Sequence, residues 1–200
     1  MPLAISQEQI GAPPSVLRKK PWTRRDCDAL EKMGVFDGLR YELIEGELID
    51  KTGMNPPHAM FLMLIASWLN RVFGDLHVRP QMPIDVRPED NPTSEPQPDL
   101  CVTTQPAQRF ASRVPSPEDV LLLVEVADTT LDFDTTTKAA LYARAGIPDY
   151  WVLDVNDRRI LVHRSPQSGA YRSLTVYDAN EPVSPLAAPE ASLRISEFSL

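Results

Sequence analysis

Apolar and polar residues alternate along this chain with two different periods, and the switches between them divide it into segments. The first regular segment begins at Thr23, which suits a helix N-cap, with Asp26 three residues on and Gly34 ending the helix. Residues 41–49, YELIEGELI, read as two short strands turning at Glu45 and Gly46, a β-hairpin. Pro57 suits the first turn of a helix over residues 57–73, where Phe61, Leu62, Ile65, Trp68 and Leu69 form an apolar stripe and Gly74 is the stop. Strands are predicted over residues 76–81 and 83–87, and a Pro-rich loop then leads into the strand opened by Asp99. Residues 120–127 are an apolar run of strand length, and a helix starting at 131 or 134 runs to 145 with Gly146 as its C-cap. Residues 150–153 and 159–164 form a hairpin across Asn156 and Asp157, and a last strand covers 171–177.

Residues 1–20 show no sustained period and are rich in Pro, Gln and Ser, which predicts a poorly ordered arm and leaves 21–200 as a single domain. The order hairpin, helix, strands, helix, strands predicts an α/β fold: a mixed β-sheet flanked by helices, with an N-terminal β-hairpin layer. In such sheets, sites form at strand ends.

Composition changes the picture in four places. The 20 prolines cluster between the regular segments and mark loops. The longest uncharged apolar run, residues 59–69, is about half of the roughly 20 residues that cross a bilayer, and no signal-peptide layout precedes it, so a cytoplasmic protein without a membrane partner is expected. Cys27 and Cys101 lack metal-ligand or disulfide spacing and are expected to be reduced and structural. The formal charge of -8 argues against a protein that holds nucleic acid by long-range electrostatics. Metal-binding carboxylates are themselves acidic, however, and Arg18, Lys19, Lys20, Arg24 and Arg25 form a basic stretch that reads equally as a solvated arm or a phosphate contact.

Glu125 is the loudest chemical signal, because it interrupts VLLLVEVA, a run whose composition says that both faces of the strand are covered. A carboxylate there requires a cation, strong donors or a raised pKa; a structural salt bridge is the bland alternative. Asp99 follows Pro98 at the start of the preceding strand and can face the same cleft, where the two acids would suit a hard cation such as Mg²⁺. Taken alone, Asp99 reads as turn chemistry. Lys138 and Asp134 head the stripe completed by Leu141, Tyr142 and Ala145, so Lys138 either reaches towards Glu125 or forms a simple i,i+4 pair with Asp134. Trp22, Trp68 and Trp151 have no stacking-platform spacing and read as core.

These residues stand in an order that resembles the Uma-type restriction endonuclease family of the PD-(D/E)xK nuclease superfamily. The resemblance covers most of the chain, from YELIEGEL at residue 41 through PHA at 57, QMP at 81 and EPQPDL at 95. It continues through VEVAD at 124, Asp134 to Lys138, LYARAGIP at 141 and YWVLD at 150. Ala127 departs from the superfamily pattern, which has lysine two residues after the acid, and the resemblance makes Lys138 the stand-in.

The resemblance implies a restriction-endonuclease-like fold and hydrolysis of DNA, expected to be double-stranded. It implies Mg²⁺ or Mn²⁺ on Asp99, Glu125 and Glu42, electrostatic help from Lys138, no organic cofactor, and a homodimer. His58, Gln81 and Asp128 match family positions as secondary candidates; their bland readings are a surface imidazole, a backbone-bonded amide and a turn cap. Two rivals stand beside this reading: a catalytically weak nuclease-fold protein that binds DNA or a partner, and a metal enzyme for a smaller phosphorylated substrate.

Overall fold

The structure, a computed structural model, describes residues 20–51, 53 and 55–198. The arm expected over residues 1–20 therefore lies outside the described residues except for Lys20. Helix α1 (Arg24–Lys32) begins at Thr23, whose side chain accepts from the Asp26 N–H while the Asp26 carboxylate accepts from the Thr23 N–H, a complete capping box. Strands β1 (Tyr41–Ile44) and β2 (Glu47–Asp50) form the expected hairpin. Its turn needs Gly46: φ is +82°, and a Cβ there would stand 2.3 Å from the Cβ of Pro21. Helix α2 (Pro56–Phe73) starts at Asn55, whose side-chain oxygen accepts from the His58 N–H, and ends at Gly74.

The main sheet has six strands in the order β3-β4-β5-β6-β7-β8. They are β3 (Val78–Pro80), β4 (Leu100–Thr103), β5 (Val120–Ala127), β6 (Asp149–Asp154), β7 (Arg159–Gln167) and β8 (Ala170–Tyr177). Only β5 and β6 pair in parallel, joined through residues 131–145. That connection has three parts: a short turn α3 (Leu131–Phe133), a π-helical turn over Asp134–Lys138, and α4 (Ala139–Ala145), which stops at Gly146 in the left-handed region. The single continuous helix expected there is thus interrupted, with the Ala139 N–H bonding back to the Asp134 carbonyl five residues earlier.

Both sheet faces are covered, as the unbroken apolar composition of β5 requires. On one face Leu122, Val124 and Val126 pack with Phe61, Ile65, Trp68 and Leu69 of α2, and Trp68 stacks on Trp151 at 6.3 Å. Val183, Leu193, Ile195 and Phe198 from the C-terminal segment close that core. On the other face Cys101, Leu123, Ala127, Tyr150 and Val152 pack with Ala139 and Tyr142 of α4. The hairpin docks beside α4 through Ile44, Leu141 and Val86.

Three expectations are corrected. The strand predicted over 76–81 shrinks to three residues, because Gln81 at φ 49° turns the chain out of the ladder. Residues 83–87 form no strand: the N–H groups of Ile84 and Asp85 donate to Pro96 and Pro115 carbonyls, and that of Val86 to the Asn91 side chain. Their apolar alternation reflects burial of Ile84 and Val86 beneath irregular chain. Trp22, expected in the core, is 42% exposed, and its backbone N–H donates to the Gly46 carbonyl at the hairpin turn.

Candidate active site

The antiparallel register pairs Leu100 with Val124, which sets Asp99 opposite Glu125 on neighbouring strands. Side chains alternate along β5, so Glu125 shares the α4 face with Leu123 and Ala127. The two acids grip each other's strand. Glu125 Oε2 accepts from the Asp99 N–H at 3.3 Å, and Asp99 Oδ2 accepts from the Val126 N–H at 2.9 Å. Lys138, delivered by the π turn, donates to Glu125 Oε1 at 2.9 Å and to Glu42 Oε1 at 2.7 Å, and lies 3.7 Å from Asp134 Oδ1. The Tyr142 hydroxyl donates to the same Glu125 oxygen at 3.1 Å. Glu42 arrives from β1, and its Oε2 accepts from the Gln97 N–H at 3.0 Å.

All five charged groups are nearly sealed: Glu42, Glu125 and Lys138 are each 2% exposed, and Asp99 and Asp134 each 3%. Buried charge of this kind demands compensation. Four carboxylates face the ammoniums of Lys138 and Lys51, so the cluster lacks two positive charges when fully ionised. Burial pushes Glu125 up to about 8, against the lowering pull of Lys138 and Lys51. Asp134 is raised for the same first reason, although Lys138 and the Thr130 hydroxyl, 2.6 Å away, oppose it. Asp99 differs. Burial raises it, but the His58 imidazole, the Lys51 ammonium and the Val126 N–H together hold it well below the usual carboxylate range.

These groups line one cavity of about 300 Å³ where β4 begins and β5 ends. Glu42, His58, Gln81, Asp99, Glu125, Asp128, Asp134 and Lys138 all border it. Gln81 donates to Asp99 Oδ1 at 3.3 Å and accepts from Arg40 at 2.8 Å, rather than pairing with backbone through its side chain. Asp128 is not a cap: its carboxylate accepts from Asn55 and its carbonyl from Asn156. His58 sits on the first turn of α2 with Nε2 3.6 Å from Asp99 Oδ2, beyond hydrogen-bond distance. That nitrogen is buried and has no hydrogen-bond partner.

Two neighbours of the acids escaped the sequence reading. Lys51 places Nζ 3.8 Å from Asp99 Oδ1 and 3.9 Å from Glu42 Oε2. The signal was parity: Glu42 pairs with Ile49, so Lys51, two residues further on, falls on the same face of the hairpin. Tyr142 was counted as an apolar stripe residue, and nothing in the pattern shows its hydroxyl turning to Glu125.

Among the described residues, no three His, Cys, Asp or Glu side chains make a metal-binding set by themselves. The donors nevertheless fit a hard divalent cation that takes one or two carboxylates and completes its shell with water and phosphate oxygens. Asp99 and Glu125 supply adjacent carboxylates, the missing charge equals that of one such ion, and the His58 nitrogen, 3.6 Å from Asp99, has no hydrogen bond to satisfy it.

The fold is that of a nuclease-fold α/β protein. It is similar to the crystal structure of a "putative nuclease belonging to DUF820" from Anabaena variabilis, with a TM-score of 0.60 and 19% identity over 79% of this chain and 88% of that one. Residues 27–196 match the Uma2 family model, described as "Putative restriction endonuclease", and the chain belongs to that family. No curated protein matches. No helix among the described residues is long and apolar enough to cross a membrane.

Proposed function

We propose that this protein is a cytoplasmic, Mg²⁺- or Mn²⁺-dependent endonuclease that hydrolyses phosphodiester bonds of double-stranded DNA. The observation that carries this reading is the convergence of Asp99 and Glu125 from adjacent strands with Lys138 from the following helix on one cavity. Asp99 and Glu125 would hold the ion. When bound, it would lower the pKa of a water and offset charge gathering on the phosphate. Lys138 fixes the direction of the Glu125 carboxylate, leaving Oε2 towards Asp99. Glu42 is the third acid of the set, and with both oxygens engaged it braces Lys138. Two copies working on opposite strands would produce a double-strand break, and sedimentation velocity reads that dimer directly.

The test is plasmid nicking in Mg²⁺, Mn²⁺ or EDTA, with Glu125→Gln and Asp99→Asn beside the wild type. Metal-dependent nicking that falls by about a thousandfold in both variants is the expected result. Nicking that survives both substitutions removes the site from the chemistry. The net charge of -8 favours one competing reading, a nuclease-fold protein that binds without cutting. DNA bound but left intact under every metal would establish it.

A further inference from the structure

The site holds two lysines with different access. Lys138 is 2% exposed and surrounded by Glu42, Glu125, Asp134 and the π turn that carries it. Its ammonium borders the cavity, but two of its three donors are committed at 2.7 and 2.9 Å to holding two carboxylates. Lys51 comes from the end of β2. Its backbone N–H donates to the Arg40 carbonyl at 2.8 Å, which extends the hairpin ladder by one step and aims the side chain at the acids. Its side chain is 14% exposed and lines the cavity. Nζ donates to the Gln97 carbonyl at 2.7 Å, while its contacts to Asp99 and Glu42, at 3.8 and 3.9 Å, are ion pairs too long for hydrogen bonds. An ammonium has three donors, so Lys51 keeps capacity for an oxygen entering the cavity.

We propose that electrostatic help to the phosphate and positioning of Glu125 fall to two different lysines here. Lys51, delivered by the hairpin, is the catalytic cation that meets a non-bridging oxygen of the scissile phosphate, and Lys138 is a positioning residue committed to the acids. The proposal rests on the endonuclease reading. A cation beside Asp99 competes with a metal ion there, so removing it should not weaken metal binding.

The experiment compares wild type, Lys51→Ala and Lys51→Cys by plasmid nicking in Mn²⁺, by calorimetry of Mn²⁺ alone and by thermal denaturation. Lys51→Ala is expected to nick about a hundredfold more slowly. It should bind Mn²⁺ as tightly as wild type or more tightly, with a lowered midpoint in the metal-free protein because two buried carboxylates lose a cation. Alkylating the thiol of K51C with 2-bromoethylamine rebuilds a lysine-length amine and should restore nicking; Cys27 and Cys101 are buried and spared. Nicking by Lys51→Ala within about twofold of an active, metal-dependent wild type overturns this proposal and leaves the endonuclease reading standing. Slow nicking with weaker Mn²⁺ binding also overturns it, assigning Lys51 to holding Asp99. A wild type that does not nick at all brings down the endonuclease reading itself, and this proposal with it.

Discussion

The two faces of β5 are built from alternate residues of one strand and solve opposite problems. Towards α2, Leu122, Val124 and Val126 fill an apolar core in which size and shape decide fit. Towards α4, Leu123 and Ala127 flank Glu125, and the packing there is set by charge, with an ammonium, a phenol and a backbone N–H filling the space round one carboxylate. Replacing a buried ion pair by apolar residues often costs nothing in stability, whereas removing one partner is expensive. The comparison therefore teaches where to look for function: the α2 face holds the molecule together, and the α4 face gives up apolar packing for a site.

Substitutions on the two faces can sharpen this contrast or break it. The largest effect is expected from Lys138→Ala, which strands Glu42, Glu125 and Asp134 without their shared cation and should cost about 3–5 kcal/mol in urea denaturation. A loss near zero would mean that the acids protonate freely and the charged face is no liability. Leu122→Ala, on the apolar face, should cost about 2–5 kcal/mol by cavity formation while Mn²⁺ binding by calorimetry stays unchanged. Weakened metal binding in that variant would show that the faces are not independent.

A third test concerns pH. Glu125 is raised from 4.5 to about 8, so in the metal-free protein its contribution to stability is fully present below about pH 4.5 and is lost as pH rises through about 8. Metal binding favours the ionised form. Mn²⁺ affinity should accordingly climb by up to about tenfold per pH unit across that window and level off above it. A flat titration, or one that Glu125→Gln leaves unaltered, would assign the proton elsewhere.

Much of this was legible because local chemistry and burial pointed the same way. Thr23 with Asp26, and Gly146 after Ala145, mark helix ends by backbone needs that tertiary packing does not change. Glu125 stood out because no solvent-facing position exists in its run, and Asp99 because it opens the neighbouring strand. Residues 83–87 misled because apolar alternation reports alternate burial and is silent on where backbone hydrogen bonds go. Lys51 was passed over because a lysine after a hairpin is ordinarily solvated; only the parity of the ladder tied it to Glu42. The C-terminal segment that closes the α2 core carries no period, since its anchors Val183, Leu193, Ile195 and Phe198 are spaced by loops.

The π turn over Asp134–Lys138 adds one residue to a helical repeat. Shortening the threonine run at 135–137 by a single codon would let that turn close as ordinary α-helix while sparing the downstream α4 surface that docks on the sheet. Asp134 and Lys138 would then stand three residues apart in ordinary helix, still neighbours on one face, while the chain before the deletion turns relative to α4. A one-residue deletion thus probes what the π turn contributes at Asp134 while leaving Lys138 with Glu42 and Glu125.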